Sequence, residues 1–255
     1  RNKMILRQAG AQFISGLVGD VAVPKQSAGA TAYWVAESGT ITESALTLGQ
    51  VALNPHTLGA YTDISRKLLK QSSIDVEMLV RNDLARVIAI EIDRAGLHGS
   101  GSSNEPTGVD HVSGIGSSVG GTDGGAPDMG DLVTLEKEVA VDNADIGTLA
   151  YITNPKVRGK LKQTLITATY GDRLVWEPGS KELNGYPVYV TNQVSSTLSK
   201  GGSTGVCSAI FFGNWNDLII GQWGGLDVLV DPYAGATAGT VRILAFSDVD
   251  VAVRH

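Results

Sequence analysis

The chain has 255 residues, 42% of them hydrophobic and 18% charged, and a net charge of −6 at neutral pH. This length and composition allow one large domain or two, with a real core beneath a charge-poor surface. The absence of a Lys/Arg cluster argues against a nucleic-acid binder, and the single Cys207 excludes an internal disulfide. No apolar run is long enough to span a membrane. Because the first residue is Arg, we expect a fragment or a processed product.

Residues 29–60 predict an extended hairpin arm, which follows a stretch of extended chain at residues 12–24. Residues 32–37 have the composition of a strand, residues 38–44 form a polar tip, and residues 46–53 alternate as a returning strand. An isolated two-stranded hairpin is marginal in water. We therefore expect a surface outside the arm to hold it.

Residues 73–99 predict one long helix. Ser73 is a capping residue, Asp75 places negative charge in the first turn, and Glu77 can pair with Arg81 one turn later. Apolar residues recur with helical spacing at Val76, Leu79, Val80, Leu84, Val87, Ile88 and Ile92.

The predicted end of this helix is Gly99, acting as a left-handed cap after His98. We expect Leu84 and Ile88 to face a sheet. Taken by itself, the stretch is also compatible with the core helix of an enzyme.

Residues 100–130 are rich in Gly and Ser and predict a loop. Residues 114–121 approach the phosphate-binding pattern G-x-G-x-x-G, but Val119 stands where the last glycine is required. A linker is therefore the better interpretation.

From residue 128 onward, helices and strands alternate in a unit of about 100 residues. Asp128 caps one helix, and Asn154 starts a second that runs through Leu165. Loops are predicted at residues 169–184 and 195–205. Strands are predicted at residues 150–153, 187–191, 210–213, 217–220 and 226–230, and a long strand at residues 240–253 is expected to return beside the long helix.

The sequence contains no clear catalytic or metal-binding constellation. The four histidines lack paired ligand spacing, and no G-x-S-x-G is present. Asp248 and Asp250 could place two carboxylates on one strand face, a weak metal or acid–base signal. A solvated strand face is the preferred interpretation, and we predict no cofactor.

The order of these elements resembles the major capsid proteins of tailed bacteriophages, which share the Hong Kong 97-like shell fold. The resemblance covers nearly the whole chain, and no single motif decides it. The matching stretches are GLVGDVAVP (16–24), ATAYWV (30–35), YTDISRKLL (61–69), PTG (106–108), YITNP (151–155), NGYPV (184–188), DPY (231–233) and DVDVAVRH (248–255).

The resemblance implies an α+β protein with three parts. A peripheral domain would comprise residues 1–28, 61–129 and 236–255, with the long helix as its spine. Residues 29–60 would form an arm lying over a neighbouring subunit, and residues 130–235 an axial domain meeting its copies at fivefold and sixfold positions. The expected arm contacts are Trp34, Glu37, Glu43, Leu46 and Leu48.

The implied function is a structural subunit, not an enzyme. Copies would self-assemble into pentamers and hexamers of an icosahedral phage or prophage shell that encloses double-stranded DNA without sequence-specific binding. Portal, scaffold or protease would act during assembly in the bacterial host cytoplasm, with no membrane partner. The alternatives are an encapsulin-like nanocompartment shell and, further off, an α+β enzyme with a lid at residues 29–60.

Overall fold

The computed structural model describes residues 4–45, 47–71, 76–166 and 173–254, with residues 27 and 28 described by their backbone only. The helices are α1 (Leu6–Ala9), α2 (Arg66–Gln71), α3 (Val76–His98), α4 (Met129–Val141) and α5 (Pro155–Leu161), with 3-10 turns at Val109–His111, Trp215–Asp217 and Ala236–Ala238. The strands are β1 (Gln12–Ser15), β2 (Val21–Ala28), β3 (Thr47–Leu53), β4 (His56–Ser65), β5 (Leu149–Thr153), β6 (Glu182–Leu183), β7 (Tyr186–Val190), β8 (Leu198–Lys200), β9 (Ser203–Cys207), β10 (Ile210–Asn214), β11 (Leu218–Asp231) and β12 (Thr240–Val253).

The main sheet has the order β1-β11-β12-β4 and packs against α3. The strand β12 pairs antiparallel with both β11 and β4 along most of its length. Its residues Ile243, Ala245 and Val249 are buried, because alternate side chains of a strand point to one face. The predicted return of residues 240–253 to the long helix is confirmed.

The helix α3 carries the buried face that the sequence predicts. Leu84 and Ile88 are 6% and 4% exposed and belong to the core beneath the sheet. Arg81 pairs with Glu77 at 2.6 Å. The predicted start, with Ser73 and Asp75, lies outside the described residues.

The prediction that Gly99 is a left-handed cap is wrong, because the φ angle of Gly99 is not positive. A Cβ atom at this position would overlap the carbonyl oxygens of Ala95 and Pro106. The backbone N–H of Gly108 donates to the Gly99 carbonyl at 2.9 Å. Glycine is therefore required here for close backbone packing, not for its left-handed conformation.

The second sheet has the order β10-β5-β7-β6 and carries α4 and α5 beside it. Both predicted helix caps are confirmed: Asp128 accepts from the Asp131 N–H at 3.0 Å, and Asn154 accepts from the Val157 N–H at 2.9 Å. The expected extension of α5 to Leu165 is wrong. The N–H of Trp176 donates to the Leu161 carbonyl, which a longer helix would have used itself.

Two strand predictions need correction in the part of the chain that follows. Residues 217–220 and 226–230 were expected as separate strands, but β11 is one strand with a register shift between Trp223 and Asp227. Gly224, at a φ of 72°, lies within this irregularity, so the glycines mark a bulge and not an end. Residues 195–205, expected as a loop, contribute to the β8–β9 hairpin.

Candidate assembly interface

The arm is built on a two-stranded ladder formed by β2 and β3. Their register runs from Val21 opposite Leu53 to Ala28 opposite Thr47. The predicted strand at residues 32–37 is therefore wrong, because β2 already supplies the partner of the returning strand. The described residues between the two strands, 29–45, form an irregular loop, which we call the arm loop.

The arm loop presents large apolar side chains that its own chain does not cover. Every residue from 29 to 43 is exposed. Trp34 is fully exposed, and Ile41 is 72% exposed. Internal hydrogen bonds shape the loop: the Gly39 N–H donates to the Ala36 carbonyl at 2.8 Å. Uncovered aromatic and aliphatic side chains concentrated on one projecting segment are typical of an interaction surface.

Four of the five predicted arm contacts lie within the described residues, three of them on the arm loop. Trp34, Glu37 and Glu43 are exposed on the arm loop, and Leu48 is 66% exposed at the beginning of β3. Leu46 lies outside the described residues. Contact with another subunit stays a prediction for all of them.

The root of the arm is fastened to the main sheet by a separate small core. Leu53 is completely buried against Ile219 and Ala252. The indole N–H of Trp223 donates to the Gly19 carbonyl at 2.6 Å, next to the start of β2. Sequence reasoning missed this anchor, which joins residues about 200 positions apart.

Asp250 strengthens the same root from within the sheet. Its carboxylate accepts from the Asn54 N–H at 2.8 Å, in the turn between β3 and β4, and lies 3.8 Å from His56 Nε2. Burial raises the pKa of Asp250. The prediction of a solvated face is wrong for Asp250, which is 6% exposed, because the turn needs a hydrogen-bond acceptor. Asp248 instead accepts from the Thr57 hydroxyl at 2.6 Å.

A second buried carboxylate fastens the amino-terminal segment to α3. Asp93 is 1% exposed and accepts hydrogen bonds from the backbone N–H groups of Ile5 and Leu6, at the beginning of α1. Burial raises the pKa of Asp93 to about 6, although these two hydrogen bonds lower it in part. The sequence signal that could have indicated this contact is the position of Asp93 directly after Ile92, an apolar residue of the buried helix face.

His98 joins α3 to the unit built on the second sheet. Its Nδ1 lies 2.9 Å from the Asp110 carboxylate, and its Nε2 accepts from the Ser195 N–H at 3.0 Å. Its ring meets Phe211 edge-on at 5.2 Å. The hydrogen bond from His98 lowers the pKa of Asp110. A cleft of about 470 Å³ lies beside this junction, and most of the residues that line it have polar side chains.

Charged groups along that cavity are joined in ion pairs. Arg94 bonds to both Glu91 and Glu105. Burial acts to raise the pKa of Glu105, but hydrogen bonds from Arg94 and Ser100 lower it to about 2. Across the described ranges, no group of three or more His, Cys, Asp or Glu side chains could hold a metal ion. Within those same ranges, the helices are too short or too polar to cross a bilayer.

The fold is the Hong Kong 97-like capsid fold. A solved structure titled "Capsid of native GTA particle computed with C5 symmetry" superposes with a TM-score of 0.77 at 20% identity, covering 99% of this chain and 87% of that one. The structure of Mycobacterium phage Cain gives a TM-score of 0.74 at 14% identity, covering 100% of this chain and 85% of that one.

The chain belongs to the phage capsid family, whose model matches residues 1–255. The major capsid protein of Halomonas phage phiHAP-1 is 34% identical over 255 residues, which is 100% of this chain and 40% of that protein. The major capsid protein of Klebsiella oxytoca phage phiKO2 is 25% identical over 244 residues, which is 89% of this chain and 53% of that protein. The chain thus spans about half or less of the length of the curated relatives that it matches.

Proposed function

We propose that this chain is the shell-forming part of a phage major capsid protein. Its copies associate as pentamers and hexamers into an icosahedral shell that encloses double-stranded DNA. The observation that carries the proposal is the arm loop, where Trp34 and Ile41 are exposed, while the root of the arm is held by the core around Leu53. Family membership and the capsid fold support the same function.

The proposed division into domains follows the sequence prediction with two adjustments. The sequence prediction assigns residues 1–28, 61–129 and 236–255 to the peripheral domain, residues 29–60 to the arm, and residues 130–235 to the axial domain. The pairing of β2 with β3 supports starting the arm at Val21. The pairing of β11 with β12 supports assigning residues 218–231 to the peripheral sheet.

In this proposal, the shell encloses DNA without sequence-specific binding. A net charge of −6 supports a wall that does not adhere to its polyanionic cargo. Portal, scaffold or protease act as partners during assembly in the bacterial host cytoplasm, and the shell becomes part of the virion. The phage relatives favour this function over an encapsulin-like compartment or an enzyme with a lid.

The proposal is tested by the size of the purified particle. Size-exclusion chromatography and negative-stain microscopy are expected to show rings or closed shells. A small compact particle at every protein concentration would contradict a shell function and favour a monomeric protein.

The contribution of the arm is tested with two substitutions at one position. Trp34→Ala removes the largest exposed side chain of the arm loop and is expected to reduce assembly. Trp34→Phe keeps an apolar ring and is expected to retain most of it. Equal loss of assembly in both variants, or no loss in either, would show that assembly does not depend on an aromatic ring at position 34.

A further inference from the structure

His98, the last residue of α3, has a neighbour at each of its ring nitrogens. Its side chain is 8% exposed. The backbone N–H of Ser195 donates to Nε2 at 3.0 Å, and the Asp110 carboxylate lies 2.9 Å from Nδ1. Because a backbone N–H can only donate, Nε2 must carry no proton, and the single proton of the neutral ring is on Nδ1, from which it is donated to Asp110. The neutral ring is therefore the form that satisfies both neighbours.

These three residues come from parts of the chain that are far apart in sequence. Asp110 lies in the 3-10 turn that follows α3, whereas Ser195 lies in the segment after β7 of the second sheet. The Ser195 carbonyl accepts from the Asn154 side chain, at the beginning of α5, at 3.0 Å. The His98 ring thus connects the end of α3 to a segment that the second-sheet unit already holds.

Apolar packing supports the same junction and does not depend on the charge of the ring. Ile152 and Val194 of the second-sheet unit are buried in the same core as Leu97 of α3. The Phe211 ring meets the His98 ring edge-on at 5.2 Å. Loss of the hydrogen bond between Ser195 and His98 should therefore loosen the segment around Ser195 without separating the two units.

The charged groups that line the described part of the adjoining cleft are all on the α3 side of the junction. Asp110 and His111 follow α3, and Glu91 and Arg94 lie on it. Arg94 bonds to both Glu91 and Glu105. The lining residues from the second-sheet unit are uncharged: Asn192, Gln193, Ser195, Ser196, Thr197 and Leu198. Asp110 therefore attracts a proton to the ring, and the second-sheet side supplies no charge to balance this attraction.

We propose that this junction is a pH-sensitive joint, which is closed when His98 is neutral and loosened when His98 is protonated. A second proton can bind only at Nε2, where it creates an N–H that points at the Ser195 N–H. The imidazolium keeps Asp110 as its ion-pair partner, but the Ser195 N–H is left without its acceptor. Histidine changes charge between about pH 5 and pH 8, so the joint responds to mild acidification.

The test needs a local measurement, because a second group responds to pH in the same range. Burial raises the pKa of Asp93 to about 6, so the melting temperature of the whole subunit combines both effects. Hydrogen exchange of the peptide that contains Ser195 reports on the joint alone. The measurement uses the unassembled subunit, so its outcome does not depend on the proposed shell function.

The decisive variant is His98→Gln, which offers an amide oxygen in place of Nε2 and does not titrate. Each comparison is made at one pH, so that the pH dependence of intrinsic exchange cancels. At about pH 7.5, the Ser195 peptide is expected to be equally protected in the parent and in the variant. At about pH 5.5, it is expected to exchange roughly tenfold faster in the parent than in the variant. A ratio of the two rates that is the same at both pH values would overturn the proposal.

The matched control is His111→Gln, because His111 is exposed on the same cleft but Ser195 donates to His98. This variant is expected to keep the pH response of the parent, and loss of the response would overturn the assignment to His98. Nitrogen NMR of the His98 ring checks the tautomer independently. A proton on Nδ1 is expected at neutral pH, and a proton on Nε2 under the same conditions would contradict the proposed joint.

Discussion

Replacing Ile88 by alanine is expected to destabilise the unassembled subunit by about 3–4 kcal/mol. Ile88 is 4% exposed and packs in the core between α3 and the main sheet, where Ile243 and Ala245 are also buried. The substitution removes three carbon groups worth about 0.8 kcal/mol each in transfer free energy. A cavity left in a packed core adds roughly 1–2 kcal/mol.

The assay is urea unfolding of the unassembled subunit, followed by circular dichroism. Val87→Ala is the matched control on the same turn, because Val87 is 48% exposed and should lose less than about 1 kcal/mol. Ile88→Asp would bury an unpaired carboxylate and is expected to prevent soluble folding. Equal losses at positions 87 and 88, or a soluble Ile88→Asp protein with an unchanged melting temperature, would refute the assigned face of α3.

Three further predictions concern the buried carboxylate of Asp93, two glycines, and the absence of the residues needed for an isopeptide bond between subunits. Burial raises the pKa of Asp93 from its ordinary 3.8 to about 6. The contribution of Asp93 to stability is therefore greatest below about pH 4 and is lost as the pH rises through 6, so the free energy of unfolding should fall by up to about 3 kcal/mol by pH 7. Asp93→Asn should flatten this fall in unfolding curves taken across that range. Gly99→Ala should lower the melting temperature by overlapping the Ala95 and Pro106 carbonyls, whereas Gly159→Ala, with open space within α5, should raise stability by about 0.5–1 kcal/mol. In some capsid proteins of the class that this chain resembles, a Lys of the arm forms an isopeptide bond with an Asn of a neighbouring subunit. Here residues 26–66 contain no Lys and residues 217–255 contain no Asn. Particles should therefore run as one monomer band in hot detergent, and a ladder of oligomers would contradict this.

Local chemistry allowed parts of the fold to be predicted, and long-range pairing accounts for most of the errors. Asp128 and Asn154 could be assigned as caps because a cap depends on residues within one turn. The burial of Leu84 and Ile88 follows from helical periodicity in the same way.

The strand predicted at residues 32–37 failed because strand formation needs a partner. The ladder of β3 was already occupied by β2. Asp250 was misassigned for a similar reason: its burial is explained by the backbone N–H of Asn54, which lies 196 residues away in sequence. Exposure of Trp34 could be expected from the arm prediction, but the fastening of the arm root by Trp223 and Leu53 required the structure.

Replacing residues 31–44 with a short Gly-Ser link tests most directly whether the arm joins subunits into a shell. This change removes the arm loop and leaves both strands of the β2–β3 ladder in place. Circular dichroism and the melting temperature of the subunit are expected to change little, while negative-stain microscopy shows no shells under conditions in which the parent protein assembles. Particles of the parental size and number from the truncated protein would contradict the proposed role of the arm.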